Sequence, residues 1–277
     1  MPIANLKGKL VLVTGAAAGI GRETALAFAE AGANLVISDI DPLGLEDVAG
    51  RVRGLGVTCW SHVVNVADAE AMRAFAGQVT AEAGPLDVLV NNAGIGYLGP
   101  FLDSPLGSWR RVVDINLMGV VHGCYFFLPA MLAAGGRRRV VNVASLAAVA
   151  PAPNMSAYAA SKFAVMGLCE SLALELHASQ VGVTCVCPGI INTQITKNRA
   201  NVAEAIGDAQ LARLQAYYDT HGAHPRVVAE AIVDAVRRGR SLLPVGPFAF
   251  MLHVKRLSRR LVHLLTVAAA RKSGYSA

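Results

Sequence analysis

Short apolar runs alternate with stretches of helical composition from residue 9 to residue 186, and that alternation leaves the chain very few folds. The first run, residues 9–14, reads Lys-Leu-Val-Leu-Val-Thr and stops at Gly15. A run this short, apolar on both sides, suits a strand buried on both faces. Residues 22–31 follow with helical composition and end before Gly32, a residue suited to the left-handed position that closes a helix. The pairing recurs, with strands expected at 33–38, 58–64, 88–90, 139–143 and 183–186 and helices at 43–53, 69–83, 108–134 and 156–179. The order predicts an α/β fold: a doubly wound parallel sheet with helices on both sides. In 277 residues, 54 % apolar and 16 % charged, there is enough apolar material to cover such a sheet.

No repeat, low-complexity tract or linker interrupts residues 1–245, which read as one domain. Residues 190–224 differ, with mixed polarity and helix formers at 202–218. They leave the carboxyl end of a strand, where ligands bind in open α/β sheets. A helical flap over the site is expected there, or else a surface helix pair with no gating role. Residues 117–134 hold no formal charge, but with His122, Pro129 and two glycines they read as a buried core helix. Lys7 and Lys9 lead straight into a strand with no signal-peptide pattern, so a cytoplasmic protein is expected. The five cysteines lack metal-ligand spacing and read as small buried hydrophobes of a reducing compartment; no metal site is expected.

Gly15, Gly19 and Gly21 stand between a strand and a helix. Glycine allows the tight turn and a close backbone approach to a pyrophosphate, and the helix start supplies free N–H groups and a positive dipole end. Asp39 comes 18 residues after Gly21, at the end of the next strand. A carboxylate there accepts from ribose hydroxyls and repels a 2′-phosphate. No Lys or Arg occupies positions 16–18, so NAD is favoured over NADP.

Ser145 closes the run at 139–144, and Tyr158 and Lys162 follow on a predicted helix, four residues apart and on one face. A phenol of pKa about 10 is a poor base at neutral pH, and a nearby cation lowers that value. Ser145 can share the substrate oxygen that Tyr158 addresses. The set suits proton transfer at an alcohol or carbonyl oxygen while a hydride moves on the carbon.

Taken together, Thr14 to Gly21, Asn91-Asn92-Ala93-Gly94, Asn116, Ser145, Tyr158 with Lys162, and Pro188-Gly189 resemble the short-chain dehydrogenase/reductase family over about residues 5–245. The resemblance implies an NAD(P)-binding Rossmann-like fold and residue roles. Tyr158 would be the general acid/base. Lys162 would tune it and bind the nicotinamide ribose, and Ser145 would orient substrate. Asn116 would hold a water in a proton relay, unless it is a helix-interior amide bonded to backbone. Ile20, Asn92, Ala93 and Gly94 would line the cofactor, while Asn91 braces the sheet. Pro188, Gly189 and Ile191 would pass beside the nicotinamide, and Thr193 would bond its carboxamide. Asn65-Val66 stands where the family usually has Asp-Val at the adenine; an amide oxygen can still accept that bond. The helices at 108–134 and 156–179 resemble those the family uses in homodimers and homotetramers.

The segments after Ser145 and Gly94 are mostly apolar and uncharged, which suits a lipophilic secondary alcohol or ketone, or simple packing. From Gly246 onward there are six Lys or Arg and no acid, while the rest of the chain balances. Phe250, Val254, Leu257, Leu261, Leu264 and Ala268, with Leu265 beside them, fall on one face of a helix expected at 250–270. Lys255, Arg256, Arg259, Arg260 and His263 fall on the other. Such a basic amphipathic extension (246–277) can dock on the body or on a second subunit, basic side to water, or lie on a membrane surface. Nothing else reads as a nucleic-acid binder, and none is expected. The alternatives to an NAD-linked oxidoreductase are an NADP-linked ketoreductase and a non-catalytic NAD-binding protein of the membrane surface.

Overall fold

The computed structural model describes residues 1–193, 198–273 and 275, without the side chains of Arg256, Arg271 and Lys272. Residues 194–197 of the expected flap, and those three basic side chains of the tail, lie outside the described residues.

Strand β1 (Leu10–Thr14) is buried at every residue and pairs in parallel with β2 (Asn34–Asp39) on one side and β4 (Val88–Asn91) on the other. Strands β3 (Cys59–Val63), β5 (Arg138–Val143), β6 (Val181–Pro188) and β7 (Leu242–Val245) complete a parallel sheet in the order β3-β2-β1-β4-β5-β6-β7. The order reverses between β1 and β4, and the crevice at the carboxyl ends of those strands is where such sheets take ligands.

Side chains alternate across each strand. Val11 and Val13 face the layer built by α1 (Gly19–Glu30), α2 (Pro42–Gly54) and α8 (Pro225–Arg238). Leu10 and Leu12 face the layer of α3 (Ala69–Ala83), α5 (Gly119–Ala133) and α6 (Ser156–Glu175). Asp41 and Asp68 start α2 and α3 by accepting from backbone N–H groups of the first turn.

The chain departs from expectation in four places. Helix α8 and strand β7 were not foreseen; β7 pairs through Pro244, and an edge strand tolerates a residue without an N–H. The run at 108–134 is α4 (Leu106–Val113) and α5 joined by a π-helical turn, Asp114–Met118, which turns Asn116 inward. The whole run, Leu106–Ala133, is long and apolar enough by composition to cross a membrane, yet Val120, Phe127 and Met131 pack in the core, Phe127 edge-on to Phe75. The tail is two helices, α9 (Met251–Leu257) and α10 (Arg259–Ser273), because extended Ser258 breaks the first and its hydroxyl accepts from Leu261 N at 3.1 Å to start the second.

Buried polar side chains join the ends of β4 and β5. Asn91 Nδ2 donates to Asn142 Oδ1 at 2.8 Å, and a Cβ on Gly123 of α5 would lie 2.1 Å from Asn91 Oδ1. Gly123→Ala should therefore lower the urea-unfolding free energy by about 2 kcal/mol. Unchanged stability would show that α5 can move away without cost.

Candidate active site

The carboxyl ends of β1, β2, β4, β5 and β6 open into one cleft of about 650 Å³. Along its walls lie Gly15, Gly19, Ile20, Asp39, Asn65, Val66, Asn92, Ala93, Gly94, Ser145, Tyr158, Lys162, Pro188, Gly189, Ile191 and Thr193. Gly21 and Asn116 sit behind the wall and shape it.

Gly15 and Gly19 hold φ of 65° and 55°, the left-handed region that a side chain resists. A Cβ on Gly21 would come within 2.0 Å of the Gly15 carbonyl oxygen, so this residue packs α1 against the turn. Helix α1 has no side-chain cap and no acidic residue in its first turn. Its first N–H groups are therefore not taken by a side-chain cap, and its positive end meets the cleft, as an anion requires. Asn92 holds the turn: its Nδ2 donates to the Thr14 and Gly15 carbonyls at 2.9 and 3.1 Å. Asp39 Oδ2 accepts from Ala17 N at 2.9 Å, and Oδ1 from Ile40 N at 2.7 Å, tying the acid to the turn. Asn65 Oδ1 already accepts from Ala67 N at 3.1 Å, so only its second lone pair is open to an adenine amino group.

Beyond β5, Ser145 starts a short 3-10 turn, Leu146–Ala148, by accepting from Ala147 N at 3.0 Å. Its side chain lines the cleft with Tyr158. Helix α6 brings Tyr158 and Lys162 onto one face, with Lys162 Nζ 5.8 Å from the Tyr158 ring centre and donating to the Val143 carbonyl at 2.9 Å. The electrostatics differ from the sequence expectation. Burial pushes the Tyr158 phenol up to about 12, against a lowering by Ser145 and with a further rise from Tyr218. Burial also draws the Lys162 ammonium down to about 8. Removing both groups from water outweighs their mutual effect, so in this fold the pair favours a neutral phenol.

Asn116 is fully buried, and its amide is spent on the fold. Oδ1 accepts from Ile95 N at 2.8 Å, while Nδ2 donates to Ile95 O at 2.9 Å and Ser161 Oγ at 3.1 Å. Both side-chain donors are thus used within the fold.

The flap and the tail build the rest of the cleft. Helix α7 (Asp208–His221) supplies Leu211, Leu214 and Tyr218, which pack with Leu98, Met155, Ala270 and Tyr275. The Tyr218 and Tyr275 hydroxyls are hydrogen-bonded, and Asn154 Nδ2 donates to Tyr275 O at 2.7 Å. Arg111 also lines the cleft and donates to Asn201 Oδ1 at 3.1 Å. None of Tyr218, Tyr275 and Arg111 was singled out in the sequence. The one available signal was the apolar spacing of Leu211, Leu214 and Tyr218, which showed a buried helix face without saying what it covers.

Comparison with known proteins adds to this geometry. Residues 9–203 match the family model described as short chain dehydrogenase. EphD of Mycobacterium tuberculosis, an oxidoreductase by name, is 43 % identical over 248 residues, 88 % of this chain. The chain spans 42 % of that relative's length. Human estradiol 17-beta-dehydrogenase 11 is 38 % identical over 197 residues, 70 % of this chain and 65 % of the relative. A short chain dehydrogenase/reductase from Burkholderia phymatum in complex with NAD superposes with a TM-score of 0.85 at 28 % identity, covering 95 % of this chain and 97 % of its own. A metagenomic short-chain oxidoreductase in complex with NADP does so with a TM-score of 0.71 at 30 % identity, covering 86 % and 95 %.

The buried ammonium has a pH signature. The Lys162 value is lowered on folding, so unfolding takes up a proton between pH about 8 and about 10.5 and stability from this group rises across that window. Below pH 8 the buried charge is a cost. Lys162→Met should unfold at higher urea than the unsubstituted protein at pH 7, by about 2 kcal/mol, with the gap closing as pH approaches 10. A gap independent of pH would mean that Lys162 is not the titrating group.

Proposed function

The chain belongs to the short-chain dehydrogenase family, and on that premise we propose that it moves a hydride between NAD(H) and a lipophilic secondary alcohol or its ketone. The observation that carries this reading is that Ser145, Tyr158 and Lys162 line the same cleft as the glycine turn, with Lys162 Nζ 5.8 Å from the Tyr158 ring centre. The cleft fits a dinucleotide on its own features. A Cβ on Gly19 would touch only Thr193, at 3.4 Å, so that side of the turn is open among the described residues. The uncapped start of α1 would take the pyrophosphate, and Asp39 would take the ribose hydroxyls through its remaining lone pairs. When bound, the nicotinamide supplies the hydride acceptor or donor and, when oxidised, a positive charge.

The side chains handle the oxygen. In ketone reduction the neutral Tyr158 phenol gives its proton to the substrate oxygen and is left as phenolate; in alcohol oxidation the phenolate takes the proton of the substrate hydroxyl and becomes the phenol. The Ser145 hydroxyl shares the same oxygen and keeps it within reach of Tyr158. Lys162, anchored on the Val143 carbonyl, is cationic below pH about 8 and favours the phenolate whenever the proton leaves. Asn116 positions the Ile95 loop and Ser161, which in turn donates to the Tyr158 carbonyl at 2.7 Å. The roof over Tyr158 is Leu98, Met155, Leu211, Leu214 and Tyr218, an environment for a hydrocarbon body rather than for a sugar phosphate. The relative named for estradiol, itself a lipophilic secondary alcohol, supports that class. Tyr125 and Leu174, exposed on α5 and α6, support self-association into a homodimer or homotetramer through those helices.

Two measurements test the reading. Tyr158→Phe should bind NADH with unchanged fluorescence enhancement and lose about 10²- to 10⁴-fold in turnover on a panel of hydrophobic secondary alcohols; retained turnover would assign the proton to another group. Fluorescence titration should show NADH binding at least about tenfold tighter than NADPH, with Asp39→Ser closing the gap. Tighter NADPH binding would replace the NAD reading by the NADP-linked one.

A further inference from the structure

The C-terminal extension docks on the body with the wrong face for a simple amphipathic helix. At 100° per residue, Leu261, Leu264, Leu265 and Ala268 form one stripe of α10, the apolar stripe of the sequence pattern. That stripe faces solvent: Leu264 is 56 % exposed, Leu261 46 % and Leu265 41 %. The contact with the body is made on the opposite side, by Val262, Ala270 and Ser273. Helix α9 repeats the arrangement. Met251 and Leu252 are buried and Lys255 Nζ lies 4.3 Å from the Phe163 ring centre, while Leu257 is 89 % exposed. Helix α10 therefore docks through small and medium residues, and across α9 and α10 large apolar residues are left on an outer, exposed face.

We infer that this outer face is a docking surface for an anionic lipid membrane. Charge selects the partner. From Gly246 onward the chain carries six Lys or Arg and no Asp or Glu. Arg259 and Arg260, next to the stripe in the chain, are exposed. Leucines beside arginines suit an interface whose interior is hydrocarbon and whose rim is phosphate. A second copy of the same tail would bring like charges together, which counts against tail-to-tail pairing. The position of the stripe agrees. Leu265 and Phe250 are exposed on the outer side and also line the cleft, so the apolar surface runs from the outside of the extension to the cleft mouth. The lipid contact stands whatever the reaction is; on the function proposed above, it would place the cleft mouth at the source of a lipophilic substrate.

Flotation of the full chain tests this, with vesicles of phosphatidylcholine alone and of an equal mixture of phosphatidylcholine and phosphatidylglycerol. The protein should float with the mixed vesicles and not with phosphatidylcholine alone, and added salt should release it. Leu261→Glu with Leu264→Glu, at exposed positions outside the cleft wall, should cut the floated fraction at least about tenfold while leaving the melting temperature and circular dichroism unchanged. Arg259→Glu with Arg260→Glu should do the same for the mixed vesicles. Failure to float, equal flotation on both vesicles, or flotation untouched by the leucine changes would overturn the proposal. So would an oligomer in gel filtration that the leucine changes split, since the stripe would then be an interface between copies.

Discussion

A parallel sheet covered on both faces has no wet side, and that constraint decides where chemistry can be. The interior residues of β1, β2 and β4 are apolar and fully buried, Val11 to Val13, Leu35 to Ile37 and Val88 to Val90. Polar side chains are pushed to the strand ends. Thr14 is the last residue of β1, Asp39 of β2 and Asn91 of β4, and Asn142 lies opposite Asn91 near the end of β5. Because all strands run the same way, these ends lie along one edge. Thr14 shows the consequence: its hydroxyl accepts from both Asn92 N and Ala93 N, at 3.0 and 3.1 Å, and so locks the loop after β4 to the glycine turn after β1. The cleft is thus a rim of the sheet at which that topology gathers hydrogen-bonding groups from several strands.

The same dryness governs the acid/base pair. Helical spacing places Lys162 one turn beyond Tyr158, and a sequence argument then assumes that charge attraction acts as it does near water. In the folded protein both groups are buried, and the desolvation penalty is the larger effect on each. A rise from 10 to about 12 for the phenol corresponds to about 3 kcal/mol against its charged form. The counterweights inside the fold are Ser145 for the phenol and the Val143 carbonyl for the ammonium. This makes a proton-holding tyrosine the resting form. Its proton leaves readily only when further positive charge or a better hydrogen-bond partner enters the cleft.

How much of this is legible in the sequence follows from how local each cause is. Strands β1 to β6, α1 to α3 and the glycine turn depend on composition within a few residues, and their bounds in the structure lie close to expectation. Helix α8 and β7 depend on what they meet: α8 packs on α1 and β7 pairs with β6, both remote in the chain. The π-helical turn at Asp114–Met118 is a local shift of hydrogen bonding that periodicity cannot show. It turns Asn116 inward, so a backbone-bonded amide could be named from the sequence as an alternative but its partner, Ile95, could not. The tail differs from expectation in two ways. A serine starts a second helix where helix interior is expected, and the apolar stripe, open in the sequence between docking and a membrane surface, faces away from the body.

The family model covers one part of the site and leaves another outside it. The glycine turn, Asp39, Ser145, Tyr158 and Lys162 all fall within residues 9–203, the segment shared with the family model. Leu211, Leu214, Tyr218 and Tyr275 fall outside it. They belong to a small apolar cluster distinct from the two cores that sandwich the sheet, and it is joined to the body by such local ties as the Leu98–Val202 bridge and the Asn154–Tyr275 hydrogen bond. A cluster held this way can change shape through a few side chains without disturbing the strands that position the proton-transfer residues. On the function proposed above, the proton chemistry would be carried by the part of the cleft within the family model, and the choice of what reaches Tyr158 by the roof that α7 and the tail build over it.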